Sequence, residues 1–118
     1  ASTKIVRQLQ TIIADEPDTI RAYVAQEALE VWPENPAEMF EGLAQHRCVS
    51  GWVNSLIWYT DTHSFYDRYY DEIEDLREEY EDNFGEPFRI NGDLKNWFAW
   101  FAFEETAYRM AHDLGLEL

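Results

Sequence analysis

The segment NWFAWFAF at residues 96–103 constrains this chain more than any other. If residues 94–114 form a helix, Trp97, Phe98, Trp100, Phe101 and Phe103 cover more than half of its circumference. A helix that is apolar nearly all round is buried by neighbours on several sides. The run is far too short for a bilayer span, which needs about 20 apolar residues. The helix is therefore expected to be central to a bundle, with the oligomeric state left open and a dimer possible. With 118 residues in all, one compact domain over 1–118 is expected, with a core large enough to fold alone.

Those neighbours also read as helices. Four prolines (17, 33, 36, 87) and five glycines (42, 51, 85, 92, 115) divide the chain, and the stretches between them carry apolar residues at helical spacing. A first helix over 2–14 places Ile5, Leu9, Ile12 and Ile13 on one face. A second, about 16–32, is expected to start at Asp15 with Pro17 in its first turn and to stop before Pro33. Asn35-Pro36-Ala37-Glu38 signals a third start, leading to a short helix that ends near Arg47. The nearly uncharged run VSGWVNSLIWY, 49–59, fits a helix, with a strand as the alternative.

A helix over 62–84 buries Phe65, Tyr69, Ile73, Leu76, Tyr80 and Phe84, and Gly85 caps it. Asp93 caps the final helix and Gly115 ends it. The expected fold is all-α: a bundle of five or six helices around the aromatic-rich C-terminal one.

Charge narrows the function classes. The chain has 24 acidic and nine basic residues, a net charge of -15. Such a charge opposes direct binding to nucleic acid or an anionic membrane, and it favours basic partners. Aromatics at 16% separate it from disordered acidic tails. Cys48 is the only cysteine, so no intrachain disulfide can form. No early stretch joins a basic start to a long apolar run, so a cytoplasmic protein without a signal peptide is expected.

Residues 61–86 hold eleven of the acids with two arginines, Arg68 and Arg77. From Asp67 to Asp82 the net charge is -7. Fifteen steps of about 1.5 Å give roughly one net charge per 3 Å. One strand of B-DNA carries a phosphate per about 3.4 Å. Like-charge pairs four apart, such as Asp71/Asp75 and Glu78/Asp82, cost a helix about 0.2–0.5 kcal/mol each. A helix that needed only solubility would alternate Glu with Lys and avoid that cost.

The residues expected to meet a partner are Asp67, Asp71, Glu72, Glu74, Asp75, Glu78, Glu79, Glu81 and Asp82, with Tyr66 and Tyr70 beside them as aromatic anchors. Residues 15–41 add eight acids against one arginine and can extend this surface. An adaptor that binds through exposed aromatics, its acidity serving solubility, is the alternative. Exposed aromatics can also stack on single-stranded bases, but the negative field argues against that use.

No catalytic residue, cofactor or metal is expected. His63 and Asp67 are four apart and lack a third ligand. Glu105 is expected to pair with Arg109 at i+4, and Glu104 to be a buried polar residue. Neither belongs to the Glu-x-x-His pattern of di-iron bundles. No serine has a nucleophile turn around it, and Cys48 reads as core.

In size, acidity and helical content the chain resembles the small acidic anti-restriction proteins of phages that imitate duplex DNA. Residues 71–111, DEIEDLREEYEDNFGEPFRINGDLKNWFAWFAFEETAYRMA, also resemble uncharacterised proteins of phages and other mobile elements. Both resemblances imply an anti-defence role in a bacterial host: inhibition of a restriction enzyme or CRISPR complex at its basic nucleic-acid-binding surface.

Overall fold

The computed structural model describes residues 2–46, 62–84 and 92–116, and these described residues form six helices and no strand. They are α1 (Ser2–Asp15), α2 (Ile20–Val31), α3 (Ala37–His46), α4 (Thr62–Arg68), α5 (Tyr70–Phe84) and α6 (Gly92–Asp113). The expected helix over 49–59, Cys48, Asp61 and the Gly85 cap lie outside the described residues.

The last helix is the hub, as its composition requires. It packs against α2, α3, α4 and α5, while α1 lies on α2. Phe98, Ala99, Ala102, Phe103, Ala107, Met110 and Ala111 are buried along it. Its alanines, with Ala22, Ala25 and Ala28 of α2, keep side-chain bulk low where helices meet and allow close approach.

Two aromatic clusters hold the acidic segment to this hub. In the first, Tyr23 of α2 lies edge-on to Phe65 at 5.1 Å and to Phe103 at 6.0 Å. In the second, Tyr80 of α5 lies 5.7 Å from Trp97 and 5.4 Å from Phe101, which stack on each other at 5.0 Å. Edge-on contacts of this kind contribute about 0.5–1.5 kcal/mol each beyond area burial. Tyr108 of α6 donates to the Leu43 carbonyl at 2.8 Å and ties down α3.

Three boundaries differ from the sequence reading. The second helix starts at Ile20 instead of following Asp15 directly, because Thr19 is the N-cap and accepts from the Ala22 amide at 3.1 Å. Pro17 therefore sits in the turn between α1 and α2, beside Asp18 at φ 61. The expected single helix over 62–84 is two, interrupted at Tyr69. Hydrogen bonds from Tyr69 N to Phe65 O (3.1 Å) and from Ile73 N to Tyr69 O (3.0 Å) cross the break. Apolar spacing runs through it unchanged, so periodicity does not mark it. The final helix begins at Gly92, which places Asp93 inside the helix and not at its cap.

The end of α6 follows its glycine. Gly115 has φ +77, its amide donates to His112 O at 3.1 Å, and the Leu116 amide donates to Ala111 O at 2.9 Å. These two bonds are the Schellman pattern, in which a left-handed residue turns the chain back over the last carbonyls.

Candidate functional site

The acidic helix α5 carries eight acidic residues and one arginine, and the fold sorts them into two sets. Ile73 is fully buried, with Leu76 and Tyr80 partly buried beside it, which fixes the direction of the core face. At about 100° per residue, Asp71, Asp75, Glu78, Glu79 and Asp82 then fall within an arc of about 100° on the far side. All five are exposed. From Asp71 to Asp82 the helix rises about 16 Å. Among the described residues, the side chains of Asp71, Asp75, Glu78 and Asp82 have neither a hydrogen bond nor an ion pair. Asp67 continues the charge onto α4 and is exposed there. Tyr70 stands beside the row with 53% of its surface exposed.

The other three acids of α5 face inward and hold the fold. Glu72 accepts a hydrogen bond from the Ile20 amide at 3.1 Å, across 52 residues of sequence. Together with Thr19 it satisfies two amides at the start of α2, where a carboxylate also meets the positive end of the helix dipole. Burial pushes the Glu72 carboxyl up; the Ile20 amide opposes that, and Glu16 and Asp75 add to it.

Glu74 and Glu81 flank Arg77, one turn away on either side. Arg77 Nε donates to Glu74 at 2.7 Å, and its Nη1 donates to Glu81. All three side chains are less than one-fifth exposed. Burial pushes the Glu74 carboxyl up, but hydrogen bonds from Arg77 and Tyr66 outweigh it and hold the group below its ordinary range.

Tyr66 is a correction to the sequence reading. Expected as an exposed anchor, it is 2% exposed, and its hydroxyl donates to Glu74. Burial and the Glu74 carboxylate push its phenol well above the usual tyrosine range. Only Tyr70 of the two stands at the surface, and the Tyr66 ring supports it edge-on at 6.1 Å. A helical wheel predicts the core direction, but it could not show that Tyr66 and Arg77 draw Glu74 and Glu81 out of the solvent-facing set.

Beside the row, α5 and α6 border a shallow groove that spacing alone did not reveal. Leu76, Tyr80 and Phe101 line it together with Asp75, Glu79 and Arg109. Arg109 bonds Glu105 at 3.1 Å, the i, i+4 pair expected from sequence, and approaches Glu79 at 3.8 Å. Glu104 is buried at 6% exposure.

The Asp18 carboxylate meets Arg68 at 3.4 Å, and Arg21 lies between Glu16 and Asp113 at 3.0 and 3.2 Å. No three His, Cys, Asp or Glu side chains converge on a metal-sized site among the described residues. No helix there is long and apolar enough to cross a membrane.

Fold and face together define a helical domain with an ordered acidic edge. Residues 17–116 match the family described as a domain of unknown function, DUF7222, and the chain belongs to that family. No curated protein and no solved structure matches the chain.

Proposed function

We propose that this protein is a stoichiometric inhibitor that binds, through the outer edge of α5, a basic nucleic-acid-binding surface such as that of a restriction enzyme or CRISPR complex. It acts by occupancy and not by catalysis. The observation that carries the reading is the outward rank of Asp71, Asp75, Glu78, Glu79 and Asp82, exposed within one arc of a helix whose opposite face is locked into the core. Five carboxylates over about 16 Å match the roughly five phosphates that one DNA strand presents over that length.

Because the row is already ordered, a receptor lined with Lys and Arg meets it without a large entropy cost of ordering. Glu72, Glu74 and Glu81 serve the same face indirectly, by fixing α5 to α2 and to its own inner side.

Capture from a bacterial lysate, eluted with a salt gradient, tests the proposal. Wild-type protein should retain a basic nucleic-acid-binding protein that elutes at moderate salt. The quadruple variant D71K/D75K/E78K/D82K should retain nothing while its far-UV CD stays helical. Equal retention by both proteins would defeat the proposal. Retention that survives high salt would instead favour the adaptor reading, in which Tyr70 is the exposed aromatic anchor at this edge.

A further inference from the structure

We propose that the groove between α5 and α6 receives an arginine side chain of the cationic partner, in the place that Arg109 of this chain occupies in the unbound protein. The proposal rests on the reading of the α5 edge as a partner-binding face, and adds where on that face specificity resides.

The groove has two adjoining parts, of about 260 and 190 Å³, which share Leu76, Glu79 and Arg109. Its floor is apolar: Leu76 and Tyr80 from α5 and Phe101 from α6, with the two rings 5.4 Å apart. Its walls are acidic on both sides, with Asp75 and Glu79 on α5 and Glu105 on α6. An aromatic floor between carboxylate walls is complementary to a guanidinium, which stacks by its face and donates from its edge in a planar fork. An ammonium has neither the plane nor the fork, so lysine fits less well.

Arg109 already shows the carboxylate part of this arrangement from within the chain, between Glu105 and Glu79. Its guanidinium bonds Glu105 at 3.1 Å and reaches Glu79 only at 3.8 Å, near the outer limit of an ion pair. The Arg109 side chain is 57% exposed and that of Glu79 63%. An exposed pair of this kind contributes little and is readily exchanged. An incoming arginine can take Glu79 while Arg109 swings to solvent or keeps Glu105.

Two further charges at the groove, Arg21 and Glu72, are committed elsewhere. Arg21 is held by Glu16 and Asp113, and Glu72 caps α2. Asp75, which belongs to both the groove wall and the outer row, has no described partner.

The test is a titration with hexa-arginine and hexa-lysine peptides, followed by amide NMR shifts, on wild type, R109Q, K4Q and E79Q/E105Q. R109Q and K4Q raise the net negative charge equally, and Lys4 is an exposed residue of α1. The proposal expects R109Q to tighten hexa-arginine binding by about two- to fivefold, the range an exposed ion pair allows, with K4Q nearly unchanged. It also expects shifts at Glu79, Glu105 and Thr106, a preference for the arginine peptide, and loss of that preference in E79Q/E105Q. Equal effects of R109Q and K4Q would overturn it, as would absence of peptide binding. Shifts confined to Asp71, Glu78 and Asp82 would overturn the groove alone and leave the outer edge as the binding face.

Discussion

Replacing Arg77 by Ala should destabilise the protein by about 2–3 kcal/mol. The residue lies between two carboxylates on the same side of α5, bonded to Glu74 and to Glu81. Side-chain exposures of 19% for Arg77, 16% for Glu74 and 15% for Glu81 put the cluster between two known regimes. Exposed ion pairs contribute about 0–1 kcal/mol, whereas breaking a fully buried pair costs about 3–5 kcal/mol.

Truncation here removes two ion pairs at once and leaves two largely buried carboxylates seven residues apart without the guanidinium between them. For 118 residues the entropy of unfolding near the transition is about 0.25 kcal/mol/K, so the melting temperature should fall by about 8–12 °C. Urea unfolding followed by far-UV CD at pH 7 gives the free energy directly. Arg7→Ala, at an exposed position on α1, is the control and should stay within about 0.5 kcal/mol of wild type. If R77A and R7A are indistinguishable, Arg77 does not brace the helix and the division of α5 into inner and outer acids is wrong.

Acidity should first help and then harm stability. Burial raises the carboxyls of Glu27 and Glu72 above the ordinary 4.5, so their contribution is present below that value and is lost as pH rises through the folded-state value. Glu74 is lowered below 4.5, so its contribution is present above that value and is lost as pH falls further. The urea midpoint should therefore rise from pH 7.5 toward pH 5 and fall below pH 4, and Glu72→Gln should flatten the rise; a steady decline from pH 7.5 to 5 would contradict this. Gly115→Ala should cost about 1 kcal/mol through backbone strain alone, since φ is +77 and a Cβ there meets nothing within 4 Å. A thermal melt unchanged by that substitution would remove the glycine cap from the account.

The all-α class, the central place of α6 and the core side of the acidic helix were legible in sequence, because each depends on apolar spacing that few backbones satisfy. Phe65, Tyr69 and Ile73 could not be buried in any other register of a helix. The ends of α2, before Pro33, and of α6, before Gly115, were legible too, since a proline and a left-handed glycine act locally.

The site was only partly legible. Nothing in the spacing of Glu72 says that its carboxylate reaches the start of α2, 52 residues earlier. The start of α2 was misplaced for a related reason: Asp15 and Thr19 are both competent caps, and tertiary contact with Glu72 favours the later one. Likewise, Tyr66 and Arg77 recruit Glu74 through contacts between side chains that a linear count of charges cannot register. The sequence reading counted nine acids as equals; the fold divides the eight on α5 into five that face outward and three that hold the helix.

The most direct test of the central claim is competition on the protein captured from lysate. Nucleic acid that binds this partner should displace the acidic protein in proportion to its concentration, and a saturating amount of the acidic protein should abolish nucleic-acid binding, at fixed ionic strength. A ternary complex of partner, nucleic acid and this protein would contradict occupation of a phosphate-binding surface by the α5 edge.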